Sequence, residues 1–125
     1  MLTLTTLCLA LNIYYETRGT GSYSEQMGVT NVVFNRVEHH KFPDSECGVI
    51  TQPNQFSWYW KDREFFPVKE TNSWLEAVTV ATLMVLYDYK DNTDGSLFYH
   101  VYKKEECKHE GKVMYAHIYS KEWHH

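Results

Sequence analysis

The stretch from Leu7 to Gly19, which reads LCLALNIYYETRG, constrains the fold more than any other part of the chain. Its apolar residues recur at the spacing of a helix that packs on a core, and the pattern predicts a helix from Thr3 to about Glu16. Glu16 therefore falls at the C-terminal end of an apolar helix. The partial negative charge of the helix end and the apolar surroundings both favour the protonated acid.

A carboxylic acid that stays protonated near neutral pH is what glycosidic bond cleavage requires, because the leaving oxygen must receive a proton. The stretch thus indicates that Glu16 is the catalytic acid of a glycosidase-type enzyme, with Tyr14 and Tyr15 keeping water away from it. A second interpretation is a helix-terminal glutamate that pairs with Arg18. Taken alone, the stretch favours neither interpretation.

Capping signals predict two further helices. The S-x-x-E spacing at residues 22–25 is that of a capping box and predicts a second helix over residues 23–39. The same spacing at residues 73–76 predicts a third helix over residues 74–89. The third helix is apolar almost all round, so we expect it to be buried on most sides.

The rest of the pattern completes a single α+β domain over residues 1–125, mainly α, with a small β element. Residues 39–67 have little helical period but many aromatic residues, and we expect them to form the wall of a groove. Alternating residues predict two short strands, over 97–102 and 113–119. The terminal residues 123–125 (Trp-His-His) are typical of a trimmed purification tag and carry no functional argument.

Composition argues against several classes of function. The net charge of −4 gives no electrostatic basis for binding nucleic acid, and no apolar run approaches the ~20 residues of a membrane-spanning helix. The first residues lack a basic segment and a cleavage site, so we expect synthesis in the cytoplasm without a signal peptide. The seven histidines include no H-E-x-x-H motif, and neither a metal nor a cofactor is predicted. We expect a monomer without stable membrane association.

The three cysteines, Cys8, Cys47 and Cys107, form neither a C-x-x-C pair nor a zinc-binding pattern. Free thiols in a reducing compartment are the default expectation. A single bridge, either Cys8–Cys47 or Cys47–Cys107, is left open as the alternative.

Nine short motifs occur in order along the chain and cover nearly all of it. They are CLALNIYYETRG (8–19), EQMGV (25–29), NRV (35–37), FP (42–43), CGVI (47–50), QFSW (55–58), DG (94–95), FYH (98–100) and HIY (117–119). Together they resemble the SleB-like cell wall hydrolase family, which includes spore cortex-lytic enzymes and bacteriophage endolysins.

The resemblance implies a lysozyme-like (transglycosylase-like) fold that cuts the MurNAc–GlcNAc backbone of peptidoglycan, with Glu16 of the Y-E-x-R-G motif as the general acid. The implied partner is the glycan strand of peptidoglycan. Thr20 departs from the family pattern, which has an acidic residue after the glycine, and this bears on the mouth of the site. We expect a phage-type endolysin that reaches the wall after release from the cytoplasm.

A second carboxylate would decide between two reaction types. Ordinary glycosidases use two carboxylates, and Glu25 is the nearest candidate, although its spacing also makes it the predicted partner of the Ser22 cap. With one acid, the acetamido group and the 6-hydroxyl of the substrate complete the reaction and leave a 1,6-anhydro product. The resemblance and the single acid favour a lytic transglycosylase, in which Glu16 has a pKa of roughly 6. A hydrolytic muramidase that uses Glu16 and Glu25 is the alternative.

Several residues are predicted to contact the saccharide. Gln55, Phe56 and Ser57 offer an amide, a ring and a hydroxyl in the irregular segment, and Glu25 is counted with them. By resemblance, Tyr99 lies on a strand that faces the cleft, where its hydroxyl would orient the acetamido group. Packing is the alternative role for Phe56 and Tyr99.

A structural role is predicted for Asn35 and Arg36 at the end of the second helix, and for His100 and His117 on the strands. Two other classes of function stay open. One is a metal-dependent amidase or peptidase that acts on the stem peptide. The other is a non-catalytic glycan-binding module in which Glu16 is merely a buried partner.

Overall fold

A computed structural model describes residues 3–17, 22–52, 71–101, 111–114 and 117–122. Within these ranges the chain forms four helices and a small sheet, so the prediction of a mainly α-helical α+β domain is confirmed. The helices are α1 (Leu4–Thr17), α2 (Tyr23–Val37), α3 (Glu46–Ile50) and α4 (Thr71–Leu86). The strands are β1 (Phe98–Val101), β2 (Lys112–Met114) and β3 (His117–Ser120).

Helix α1 lies at the centre of the helical layer and packs against α2, α3 and α4. Its predicted span is confirmed within one residue at each end. The core consists of buried apolar side chains from all four helices and from β3. They include Leu9, Ala10, Ile13, Tyr14, Val29, Val32, Val33, Val49, Ile50, Ala77, Val80, Ala81, Met84 and Tyr119.

Helix α2 begins as the capping signal predicts. The Ser22 Oγ accepts a hydrogen bond from the Glu25 backbone N–H at 3.3 Å, which satisfies one of the free donors of the first turn. Helix α3 was not predicted, because five residues are too few to show a helical period. Its cap is Ser45, whose Oγ accepts from the Gly48 N–H at 3.0 Å.

Two expectations for the third predicted helix are wrong. Helix α4 begins at Thr71, so Ser73 lies inside it and is not its cap. The Glu76 carboxylate instead accepts a hydrogen bond from the Gln26 side chain of α2. The helix is also buried on one face only, since Leu75 and Leu86 are 57% and 68% exposed. The apolar composition of α4 therefore predicted more burial than the helix has.

The sheet has three antiparallel strands in the order β1-β3-β2, where the sequence predicted two. The predicted second strand, 113–119, divides into β2 and β3, which pair so that Met114 lies opposite His117. Two residues between paired positions are enough for a hairpin, and a continuous alternating pattern does not reveal such a reversal. On the central strand β3, Tyr119 lies opposite Tyr99 of β1, which places both rings on one face.

The polar turn that precedes β1 is hydrogen-bonded to the end of α2. The Asp91 carboxylate accepts hydrogen bonds from the Thr93 N–H and the Gly95 N–H, both at 2.8 Å. Asn35 donates from Nδ2 to Asp91 Oδ2 at 2.9 Å and to the Ser96 carbonyl at 3.0 Å. These bonds lower the pKa of Asp91, although its partial burial opposes them. They fix where β1 begins relative to α2.

A disulfide joins Cys8 of α1 to Cys47 of α3, with their Cα atoms 5.5 Å apart. The default expectation of free thiols is therefore wrong for these two residues, and one of the two bridges left open is the one that forms. Sequence spacing could not choose it, because the choice depends on how the two helices pack. The bridge holds α1 against α3 near the N-terminal half of the helix that carries Glu16.

We expect the bridge to stabilise the fold by about 4 kcal/mol, because it closes a loop with a sequence separation of 39 in the unfolded chain. Replacing both Cys8 and Cys47 with Ser should lower the melting temperature by more than about 10 °C. Cys107→Ser is the matched control, since it removes a thiol and leaves the bridge. A thiol assay on the denatured, unreduced protein should find one free thiol per chain; three would contradict the assignment.

Candidate active site

Glu16 lies on the last turn of α1 and is half-buried, and Tyr14 and Thr17 of the same turn are buried. Tyr14 is 1% exposed and packs edge-on against Tyr15 and Trp74, with ring centroids 5.0 and 6.0 Å away. Thr17 donates from Oγ1 to the Ile13 carbonyl at 2.8 Å, which satisfies one of the free carbonyls near the helix end. The carboxyl group is thus held at the boundary between core and surface.

The environment raises the pKa of Glu16 from 4.5 to about 7. Desolvation is the largest cause, because burial disfavours the charged form of a carboxyl group. A hydrogen bond from the Tyr99 side chain and the positive charge of Arg36 both act in the opposite direction. The upward direction predicted from the sequence is confirmed, and the shift is larger than expected.

Tyr99, on β1, is a neighbour of Glu16 and of the Asn12 side chain, and its hydroxyl acts on the pKa of the Glu16 carboxyl group. The hydroxyl oxygen is buried. Desolvation and the neighbouring charge of Glu16 raise the pKa of Tyr99, so the phenol stays protonated. The structure therefore connects Tyr99 to the candidate acid. Its predicted contact with the acetamido group of a substrate stays a prediction.

Arg36, on the last turn of α2, is 3% exposed and supplies the positive charge near Glu16. Its Nε donates to the Leu97 carbonyl at 2.6 Å. Its guanidinium group lies 4.9 Å from the ring centroid of Phe42 and 5.2 Å from that of Phe98, where cation–π attraction stabilises it. The predicted structural role is thus only part of its role, since Arg36 also acts on the charge of Glu16.

The signal that could have connected Arg36 with Glu16 is weak. Both residues lie at the C-terminal ends of the two predicted helices, but nothing in the spacing shows that these ends meet. The alternative partner of Glu16, Arg18, lies outside the described residues. Asn35, the neighbour of Arg36, has the structural role that was predicted for it.

Glu25 has no exposed surface, and its Oε2 lies 2.5 Å from Nδ1 of His117 on β3. His117 is itself 4% exposed, so its predicted structural role is supported. The backbone N–H of Glu25 forms the predicted contact with the Ser22 cap, while its carboxylate faces the sheet. Its predicted contact with substrate stays a prediction, and complete burial speaks for an internal role.

The remaining predicted contacts fall outside the described residues. Gln55, Phe56 and Ser57 all lie there, as does most of the segment predicted to form a groove wall. A cavity of about 520 Å³ is lined by Thr93, Ser96, Tyr119 and neighbouring residues, and Glu16 is not part of its lining. In the described ranges, His, Cys, Asp and Glu side chains form no group of three or more that could hold a metal ion. None of the described helices is long and apolar enough to cross a bilayer.

The raised pKa predicts how stability depends on pH. The unfolded chain releases the Glu16 proton near pH 4.5, whereas the folded protein keeps it until about pH 7, so the folded state binds more protons in this window and stability falls as the pH rises. Glu16→Gln removes the titrating group and therefore removes this loss of stability at higher pH. Its melting temperature should match that of the wild type near pH 4 and exceed it increasingly towards about pH 8.

The measurement is thermal unfolding of both proteins across this pH range. Glu38→Gln, at the exposed end of α2, controls for the removal of one surface carboxylate. A difference between Glu16→Gln and the wild type that stays constant with pH would show that Glu16 is not held in its protonated form.

Two solved structures are similar to the chain over nearly their whole length. The catalytic domain of the germination-specific lytic transglycosylase SleB from Bacillus anthracis is 24% identical with a TM-score of 0.65, covering 95% of this chain and 96% of that chain. The catalytic domain of the Bacillus cereus SleB protein is 23% identical with a TM-score of 0.61, covering 97% and 93%. The predicted SleB-like fold is confirmed. No curated protein is detectably similar in sequence.

The model of one protein family, described as cell wall hydrolase, matches residues 20–121. Glu16 precedes the matched segment, so its role rests on the geometry described above and not on this match. The match includes the β strands, α2 and the residues that surround Glu16 from those elements. The chain belongs to the cell wall hydrolase family.

Proposed function

We propose that the protein is a lytic transglycosylase that cleaves the MurNAc–GlcNAc β-1,4 bond of peptidoglycan and leaves a 1,6-anhydro-MurNAc end. The observation that carries the proposal is a half-buried glutamate, Glu16, whose carboxyl pKa is raised to about 7 by desolvation. At neutral pH such a group is present in both protonation states. It is therefore suited to give a proton in one step and to take one in the next.

The reaction needs one protein carboxyl group. Glu16 donates its proton to the glycosidic oxygen as the C1–O bond breaks, and the 2-acetamido oxygen of MurNAc attacks C1. The Glu16 carboxylate then removes the proton of the 6-hydroxyl group, whose oxygen attacks C1 and displaces the acetamido oxygen. The products are the freed GlcNAc hydroxyl and the anhydro end, and Glu16 is protonated again.

The neighbours of Glu16 fit both halves of this cycle. Desolvation favours the acid that the first step requires. The Tyr99 hydroxyl and the Arg36 charge stabilise the carboxylate that exists between the two steps. Because these effects oppose each other, neither protonation state becomes too stable to react near neutral pH.

The relatives add independent support. Members of a cell wall hydrolase family act on peptidoglycan, and the similar domain from Bacillus anthracis is described as a lytic transglycosylase. At 24% identity the fold is the shared property, so the reaction type enters here as a proposal. The phage-type endolysin setting stays a prediction, since the similar structure is described as germination-specific.

Hydrolysis by Glu16 and Glu25 is the second candidate. It would require Glu25 to activate a water molecule on the sugar, yet Glu25 has no exposed surface and its carboxylate lies against His117. The complete burial of Glu25 therefore supports a reaction that needs Glu16 alone. We keep Gln55, Phe56 and Ser57 as proposed saccharide contacts on the strength of their residue types alone.

The reaction is tested by digesting purified peptidoglycan and weighing the released muropeptides. We expect anhydro ends, which are lighter by one water than the ends produced by hydrolysis. Glu16→Gln should reduce the initial rate by roughly a hundredfold or more, because the proton donor is lost. Glu38→Gln is the matched control and should retain the wild-type rate.

Other outcomes would identify another function. Hydrated ends would favour the muramidase, and new free amino groups with loss of activity in EDTA would favour a metal-dependent amidase. Unchanged lysis by Glu16→Gln would remove Glu16 from the mechanism. Tight binding to peptidoglycan without any release of fragments would favour a glycan-binding module.

A further inference from the structure

Glu25 and His117 form a buried acid–histidine pair that the proposed reaction does not use. Nδ1 of His117 lies 2.5 Å from Oε2 of Glu25, so the two side chains are in direct hydrogen-bond contact. Both side chains are almost completely buried. A buried polar pair of this kind has a directional effect that apolar packing does not provide, because its bond holds one ring orientation.

The pair connects two elements that are far apart in the sequence. Glu25 lies in the first turn of α2, and His117 is the first residue of β3, the central strand of the sheet. A second hydrogen bond joins the same two elements: the Tyr119 hydroxyl donates to the Glu25 carbonyl at 3.4 Å. The first turn of α2 is thus tied to β3 at two positions.

The His117 ring lies directly against Tyr99. The two ring centroids are 5.6 Å apart and their planes are at 78°, an edge-to-face contact. Tyr99 also contacts Tyr119, with ring centroids 5.7 Å apart. The Tyr99 ring is therefore held by two side chains of β3, and each of these is bonded to Glu25.

We infer that Glu25 and His117 are positioning residues for Glu16: their bond fixes the His117 ring, which holds Tyr99 so that its hydroxyl reaches the catalytic carboxyl group. Neither residue needs to touch the substrate. The catalytic consequence rests on the proposed function, whereas the positioning itself is a property of the folded protein.

The charged and titratable groups around Glu16 decide how the inference is tested. Tyr99 faces it from β1, Arg36 from α2 and Tyr119 from β3. The hydrogen bond from Tyr99 lowers the pKa of Glu16, so displacing Tyr99 should raise that pKa. Removing the charge of Glu25 would instead lower the pKa of Glu16, because a nearby negative charge favours the protonated acid.

Two variants of Glu25 separate position from charge. Glu25→Gln removes the charge but keeps an oxygen that accepts from His117, whereas Glu25→Ala removes both. We expect the pKa of Glu16, measured from its side-chain ¹³C shift by NMR, to be about half a unit to one unit higher in Glu25→Ala than in Glu25→Gln. His117→Asn keeps a donor near the position of Nδ1 but lacks the ring. We expect it to raise the pKa of Glu16 by the same amount relative to the wild type.

A mutant cycle with Tyr99→Phe tests whether the effect passes through the Tyr99 hydroxyl. In the Tyr99→Phe background, the pKa of Glu16 should be equal in the two Glu25 variants, because the bond to be displaced is already absent. The inference would be overturned if the pKa of Glu16 were equal in the two Glu25 variants that keep Tyr99. So would a difference of the same size in both backgrounds.

Asn31→Ala is the matched structural control. Asn31 is a buried residue of α2 whose Nδ2 donates to Oδ1 of Asn92 at 3.0 Å, away from Tyr99. We expect it to lower the melting temperature without changing the pKa of Glu16. A change in that pKa equal to the change caused by Glu25→Ala would mean that general loosening explains both, and the inference would fail.

The test does not depend on enzymatic activity. If Glu16→Gln retained lytic activity, the proposed function would fail while the titration would still report on positioning. If lysis required Glu16 but the titration were unchanged by Glu25→Ala, only the positioning role would fail. Should Glu25→Ala not fold, the comparison of His117→Asn with the wild type decides the same question, because both proteins keep the charge of Glu25.

Discussion

The desolvation of one carboxyl group, Glu16, is the constraint on which the candidate site depends. The helix that carries it packs against three others and is joined to α3 by a disulfide, so its last turn cannot easily move out into water. Burial raises the pKa of the carboxyl group to about 7, the range in which it can exchange a proton in both directions. A small rotation of α1 that exposed Glu16 would return it towards an ordinary, ionised surface glutamate.

Arg36 limits how far the pKa of Glu16 is raised. An arginine that met a carboxylate without other contacts would lower the pKa of the acid by roughly 1–3 units. Here the guanidinium group is also held by the Leu97 carbonyl and by the rings of Phe42 and Phe98. These contacts fix its location near Glu16, and the net pKa is still raised. Desolvation therefore outweighs the attraction, while the retained positive charge is available when the carboxylate forms.

Sequence reasoning was most successful where the determining contacts are local. The helical period located α1, and the Ser22 cap located the start of α2, since both patterns involve residues within one or two turns. It failed where similar local patterns have different tertiary outcomes. The spacing of Ser73 and Glu76 equals that of Ser22 and Glu25, yet Glu76 bonds to Gln26 across two helices. The apolar surface of α4 likewise stayed exposed because the domain has no further layer to cover it among the described residues.

In the candidate site, too, local patterns could be predicted from the sequence and tertiary contacts could not. Glu16 could be predicted as the acid because its helix and its motif are contiguous, whereas its neighbours come from α2, β1 and β3. Glu25 and His117 are 92 positions apart, and no spacing rule connects residues at that distance. The two glutamates differ in their tertiary partners: Glu16 is influenced by a neutral hydroxyl and by the charge of Arg36, while Glu25 contacts an imidazole nitrogen directly. A direct buried partner leaves a carboxyl group less available to a substrate, so the less tightly bonded of the two glutamates fits better the acid that we propose.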